Sequence, residues 1–286
     1  MPISPDMVRH IKLCTVAIAL DLGPQFHPKI LGTGFMISEQ GHVLTNAHVA
    51  LALMTPLEYW HTLQLSPRSC VIAYQFIPEK GMAEIKAPIK SVMNITGKNV
   101  VPGGVMYGGP PDLSVISTRF EKTPYLKLTA KELPAEGTEV FFCGFPLGEQ
   151  MFYTEHGREQ ITSTLQRGII GAHLPFSGIP NPHAFVMDAT CNPGNSGSAV
   201  IDPEDGSVIG VVFAKRTEAF TYAVASRGFD VLVEKMVEAE KAGAQEQMGS
   251  FTLQMGKEYR PPEGLQSDLI KMQLEQDRKP PATDKK

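Results

Sequence analysis

Apolar residues recur in short blocks along most of the chain, each bounded by glycine, proline or a polar turn. Blocks of this length, rich in Val, Ile and Phe, predict β-strands rather than helices. The pattern places strands over Lys12–Leu20, Gly34–Ser38, His42–Thr45, Ser69–Phe76, Leu113–Thr118 and Glu139–Cys143. It continues with Gln160–Ala172, Ala184–Met187, Ser198–Ile201, Val208–Phe213 and Thr221–Ala225. Gln40-Gly41 and Glu204-Asp205-Gly206 fall between neighbouring strands as hairpin turns, because glycine accepts positive φ. Such a series predicts an all-β sandwich or barrel.

The period changes near the end. Phe229, Leu232, Val233, Met236 and Val237 follow helical spacing, with Ser226 or Gly228 to start the helix and Gly243 to end it. Beyond that point the chain is rich in Gln, Glu, Lys and Pro. Such a segment buries too little apolar surface to offset the entropy of ordering, so residues 244–286 are expected to form a polar, mobile tail. A short helix over Ser267–Gln276 is the one element its pattern suggests.

Composition narrows the function classes. With 42% hydrophobic and 20% charged residues over 286 positions, the chain suits an ordinary globular protein with a substantial core. A net charge of −4 and the lack of a dense Lys/Arg run argue against a nucleic-acid partner. No apolar run reaches membrane-spanning length, so no membrane partner is expected. The segment Ile11–Leu20 is interrupted by Lys12, Cys14 and Thr15 and reads as an opening strand rather than a signal peptide. Cys14, Cys70, Cys143 and Cys191 are widely spaced and read as reduced, which leads to the expectation of a cytoplasmic protein. The Asn94-Ile95-Thr96 sequon is discounted, because such triplets arise by chance and no export signal is read. No metal or other cofactor is expected: His42 and His48 lack zinc-helix spacing, and Gly103-Gly104 and Gly108-Gly109 precede no phosphate-loop lysine.

Candidate chemistry centres on Asn192-Pro193-Gly194-Asn195-Ser196-Gly197-Ser198, a serine in a tight glycine-flanked turn ahead of an apolar strand. Such a turn can aim successive N–H groups at one point, which suits an anion forming at a carbonyl oxygen under attack by the serine. Upstream lie Leu44-Thr45-Asn46-Ala47-His48-Val49 and Pro111-Asp112-Leu113-Ser114-Val115-Ile116, a base and an acid in the order His, Asp, Ser. A neutral imidazole can take the serine proton, and a carboxylate on its other nitrogen fixes the tautomer and stabilises the cation. These roles fall to Ser196, His48 and Asp112, with the N–H groups of Gly194 and Ser196 as the oxyanion hole. Singly, each residue has a structural alternative: a hairpin serine, a hydrogen-bonded histidine, a turn-capping aspartate. Asp188 is the rival acid. Their combination favours catalysis.

At these residues the chain resembles the trypsin-like serine peptidases, in particular the high-temperature-requirement (HtrA-type) branch. The similarity runs through Gly32-Thr33-Gly34-Phe35-Met36-Ile37-Ser38, the histidine and aspartate motifs, Gly144-Phe145-Pro146-Leu147-Gly148, the serine motif, Val208-Ile209-Gly210-Val211-Val212 and Thr221-Tyr222-Ala223-Val224-Ala225-Ser226. The resemblance implies two packed six-stranded β-barrels, residues 1–125 and 126–243 with the closing helix, and an active site in the crevice between them. It implies polypeptide substrates, a homo-oligomer by analogy, and a primary pocket around Thr190, Cys191, Phe213 and Ala214. No fixed acid lies there, so an apolar or small residue before the scissile bond is expected. Ser198 and Ala199 depart from the glycine and proline common in the family. No histidine follows the serine loop to support glutamate specificity, and no PDZ domain is expected. Asn195 stands where secreted digestive proteases carry an aspartate that pairs with a freed N-terminus, so activity without N-terminal processing is expected. The resemblance also makes Glu149–Gln160 a candidate gating loop beside the oxyanion hole. The expected function is a serine endopeptidase acting through an acyl-enzyme, in protein quality control by analogy. The competing readings are a non-catalytic protease-like module that binds peptides or scaffolds an assembly, and an esterase using the same residues.

Overall fold

In the computed structural model, the described residues are 3–23, 25–53, 68–77, 81–96, 112–154, 157–158, 161–174, 184–215, 219–227, 229, 233 and 251–252. They form two closed antiparallel barrels. The first contains β1 (Thr15–Asp21), β2 (Lys29–Met36), β3 (His42–Thr45), β4 (Arg68–Ile77), β5 (Gly81–Thr96) and β6 (Leu113–Thr118). Its strand order is β5-β4-β1-β2-β3-β6, and a β5–β6 pairing closes it. The second contains β7 (Glu139–Gly144), then, after the two-residue strands β8 (Tyr153–Thr154) and β9 (Gly157–Arg158), β10 (Thr164–Leu174) and β11 (Ala184–Asp188). It is completed by β12 (Ala199–Ile201), β13 (Val208–Lys215) and β14 (Phe220–Ala225), closing as β10-β11-β14-β13-β12-β7. A short β15 (Phe251–Thr252) adds to β5 in parallel.

Each barrel fills its own interior. Val16, Ile18, Val43, Val71 and Ile116 occupy the first, and Phe142, Phe185, Val200, Val212 and Ala223 the second. A third cluster joins Phe35, Leu44 and Leu113 of the first barrel to Phe141, Ala199 and Val211 of the second. Fully burying one such side chain contributes about 1.5–3 kcal/mol, so this shared layer fixes the barrels against each other. Phe145 closes the opposite side, against Ile30, Ile72 and Tyr74 of the first barrel.

The opening segment differs from the expected strand. Residues Pro5–Cys14 form helix α1, and β1 begins only at Thr15. The reason is local: the Ser4 side chain accepts from the Met7 N–H, Pro5 occupies the first turn, and Asp6 and Lys12 suit the two ends of the helix dipole. Ile11 and Cys14, three apart, are the face it buries. The 16-residue β5 is absent from the sequence-based expectation. Pro88 interrupts it, and Glu84, Lys86 and Lys90 alternate with modest apolar residues, because much of this strand faces solvent. The turns at Gly41 and Gly206 form as expected, with φ of 81° and 74°. Of the helix expected over 229–237, only Phe229 and Val233 are described, both buried in the shared layer. The helix expected over 267–276 lies outside the described residues, as does nearly all of 244–286. Among the described residues no helix is long and apolar enough to cross a membrane.

Candidate active site

Strand pairing brings the histidine and the aspartate to one end of the first barrel. In the antiparallel β3–β6 ladder Thr45 lies opposite Ser114. Running forward from Thr45 and backward from Ser114 therefore leads off the same edge, to His48 and Asp112. Helix α2 (Ala47–Ala52) follows β3 directly, and its preceding residue, buried Asn46, donates from Nδ2 to the Asp112 carbonyl at 2.8 Å. Asp112 in turn grips the histidine twice. Oδ1 accepts from the His48 backbone N–H at 2.9 Å, and Oδ2 lies 2.6 Å from Nδ1. With Nδ1 donating to a carboxylate, the protonated tautomer is set there and Nε2 is left with its lone pair. Asp188, the rival acid, is exposed on β11 across from Ile169 and Phe220.

The serine turn comes from the second barrel and packs onto β2 of the first. The Ser196 carbonyl accepts from the Thr33 N–H at 2.8 Å, and the Gly194 carbonyl accepts from the Thr33 hydroxyl at 2.7 Å. Gly32 shows how close the two elements come: a Cβ there would lie 2.8 Å from the methyls of Val49 and 3.1 Å from the Ser196 carbonyl. The residue after the histidine and the serine backbone therefore flank one glycine. Among the described residues no hydrogen bond joins the Ser196 hydroxyl to His48; such contacts are often long before substrate binds.

Backbone bonding within the turn alternates. Asn195 N–H donates to Asn192, Gly197 N–H to Val212, and Ser198 N–H to Asn195. Among the described residues the N–H groups of Gly194 and Ser196 find no acceptor. The Pro193 carbonyl, 2.5 Å from the Leu147 N–H that donates to it, faces the segment 145–148. In a planar trans peptide that turns the Gly194 N–H to the opposite side. Gly194 adopts φ 98° and Gly197 φ 90°, values that only glycine takes without strain, and Phe145 and Thr33 leave no room for a Cβ at either. Leu147 also sits in the left-handed region, at φ 60°, which for a non-glycine costs roughly 1–2 kcal/mol.

Asn195 is fully buried, and its Nδ2 donates to Gln166 Oε1 at 2.7 Å, while Gln166 Nε2 donates to the Thr190 carbonyl at 3.1 Å. A neutral side chain on β10 thus ties together both ends of the segment 190–195. Of the residues expected at the primary pocket, Thr190 is exposed, whereas Cys191 is buried with the second-barrel core. Phe213 is half-buried edge-on to Tyr222, and the Ala214 side chain lies outside the described residues. Sequence reasoning gave no role to Thr33, Asn46 or Gln166, and named Glu149 only as the start of the candidate gating loop. Thr33 lies within the quoted Gly-Thr-Gly motif, but Gln166 and Glu149 carry no local signal, since their partners are 29 and about 120 positions away.

Two closed six-stranded barrels, with the serine turn of one lying against the His–Asp end of the other, define the chymotrypsin-like double-barrel class. Comparison with known proteins agrees. The chain belongs to the trypsin-like peptidase domain family, whose model matches residues 32–211. A curated relative from Halomonas elongata, described as "Probable periplasmic serine endoprotease DegP-like", is 26% identical over 181 residues. The match covers 63% of this chain but only 28% of that protein. Among solved structures, the serine endoprotease from Yersinia pestis superposes with a TM-score of 0.50 at 19% identity, covering 85% of this chain and 69% of that one. Deg5 gives 0.48 at 23%, covering 80% and 90%. The family model and the Halomonas relative bear out the HtrA-type, trypsin-like resemblance.

The cytoplasmic expectation is not, because the matched relative is described as periplasmic. The inference failed at the cysteines. None of the four is in a disulfide, and all are buried. Burial pushes the Cys14 thiol up to about 12 and Cys70 up to about 11, and it raises Cys143 as well. Thiols held protonated inside a core stay unpaired in any redox environment, so they report packing and not compartment.

Proposed function

We propose that this protein is a serine endopeptidase in which Ser196 attacks the scissile carbonyl, His48 carries the proton and Asp112 orients and stabilises the imidazole. The reading rests above all on the doubly bonded His48–Asp112 pair, set across the barrel junction from a turn that leaves two N–H groups without acceptors among the described residues. As the Ser196 oxygen bonds to the carbonyl carbon, its proton passes to His48 Nε2 and the developing oxyanion takes the N–H groups of Gly194 and Ser196. The imidazolium returns that proton to the leaving amine, giving an acyl-enzyme, and water then repeats the cycle to release the acid. The assignment needs no cofactor.

The chain divides for this purpose near residue 125, with the base and acid before the boundary and the nucleophile after it. Substrates are polypeptides, entered with a small or apolar residue before the cut, because the expected pocket positions Thr190, Cys191, Phe213 and Ala214 include no acid. A periplasmic or secreted setting follows the described relative, and a role in protein quality control follows from the HtrA-type resemblance alone. The test is hydrolysis of fluorescein-labelled casein by the wild type and by Ser196→Ala. Loss of cleavage in the variant supports the proposal; equal cleavage by both refutes it. A peptide-library profile dominated by Arg or Lys before the cut refutes the substrate preference alone.

A further inference from the structure

The Glu149 side chain has no part in the chemistry above, yet it is among the most buried carboxylates described, with a residue exposure of 7%. A buried carboxylate persists only with donors supplied, and this one has two, both from the start of β2 in the other barrel. Lys29 Nζ donates to Oε1 at 2.8 Å, and the Ile30 N–H donates to Oε2 at 3.0 Å. Glu149 belongs to the 3-10 turn Gly148–Phe152, directly after Leu147. Leu147 holds a left-handed conformation although the residue is 45% exposed, so core burial does not explain the strain. The turn makes its own backbone bonds, Gly148 N–H to the Phe145 carbonyl and Gln150 N–H to the Leu147 carbonyl, and two contacts tie it to other segments: the Leu147 N–H on the Pro193 carbonyl, and the packing of Gly148 against Ile30, where an added Cβ would lie 3.4 Å from the isoleucine.

We propose that Glu149 is a positioning residue for the oxyanion hole. Anchored on Lys29 and Ile30, its carboxylate holds Leu147 and Gly148 in the strained turn. The Leu147 N–H then keeps the Pro193 carbonyl turned away and the Gly194 N–H turned inward. Without the anchor the turn relaxes, the Pro193 carbonyl loses its donor, and the 193–194 peptide can rotate to present an oxygen where a donor is required. The latch spans the two barrels, so assembly of the hole depends on their docking. This inference rests on the peptidase reading of Ser196.

The experiment measures the rate at which a fluorophosphonate probe labels Ser196, together with kcat and KM on fluorescein-casein. It uses the full chain as wild type, Glu149→Ala, Lys29→Met and Lys29→Arg. Glu149→Ala is expected to lower labelling and kcat by about 10²–10³-fold, the effect of losing one oxyanion donor, with KM within about twofold of wild type. Lys29→Met, which leaves the Ile30 bond, loses about tenfold, and Lys29→Arg, which keeps the ion pair, loses less than Lys29→Met. A merely structural role would lower the melting temperature without this kcat-against-KM split. Should circular dichroism find Glu149→Ala unfolded, Lys29→Met carries the test, since the lysine side chain is 40% exposed. Wild-type labelling with no loss in the variants, or a rise in KM at constant kcat, overturns the latch alone. Wild type that fails to label overturns the peptidase reading and the latch with it.

Discussion

Replacing Asp112 with asparagine is the sharpest perturbation of the proposed machinery, because it changes one atom type and little shape. The aspartate accepts two bonds, from the His48 N–H at 2.9 Å and from Nδ1 at 2.6 Å. An asparagine has one acceptor and one donor. Keeping its oxygen on the backbone N–H points the NH2 at Nδ1, which must then accept, so the ring proton moves to Nε2. An imidazole protonated at Nε2 cannot take the Ser196 proton. The reverse orientation sets an NH2 against the His48 N–H, leaving two donors opposed. The opposed donors disfavour that second orientation, so the first prevails and the productive tautomer is lost, at a cost of about 10⁴-fold in kcat, or about 5.4 kcal/mol at 1.36 kcal/mol per tenfold. The assay is initial-rate casein hydrolysis on protein shown to be folded by circular dichroism. A folded Asp112→Asn retaining a tenth of wild-type kcat would refute the assigned role.

Gln166→Leu keeps the volume of the side chain but leaves the buried Asn195 amide unpaired, which costs about 1–3 kcal/mol; a lowered melting temperature and a fall in kcat/KM are expected. Phe142→Ala empties the centre of the second barrel, where the ring is fully buried, and should lower unfolding free energy by about 3–5 kcal/mol in denaturant titration. Alkaline stability follows from the Cys14 thiol, which burial raises from its ordinary value of 9.0 to about 12. Below pH 9 both folded and unfolded chains hold the proton, and the thiol adds no pH dependence. Between about 9 and 12 only the unfolded chain releases it, so stability falls as pH rises. Cys14→Ala should flatten that part of the pH–stability curve, and an unchanged slope would contradict the argument.

Sequence and structure agree most closely where one physical signal dominated. The apolar runs Leu113–Thr118 and His42–Thr45 are buried throughout, and both strands have the expected bounds. The His, Asp and Ser motifs were legible because each combines a chemically distinctive residue with the strand that delivers it. What escaped was either partly solvated or long-range. β5 alternates charged and modest apolar residues around Pro88 and so lacks the dense apolar block by which the other strands were read, and α1 was obscured because the segment Ile11–Leu20 runs from its last turn into β1. The Gln166–Asn195 and Glu149–Lys29 links join residues on separate elements, and only the closed barrels bring them together.

The central claim is that Ser196 is made nucleophilic by His48 within this junction. Mass spectrometric mapping after fluorophosphonate treatment tests it most directly. The account predicts one adduct, on Ser196, with labelling abolished in Ser196→Ala and lowered at least a hundredfold in His48→Ala, on the scale of general-base catalysis. Adducts elsewhere, or Ser196 labelling undiminished in His48→Ala, would contradict it.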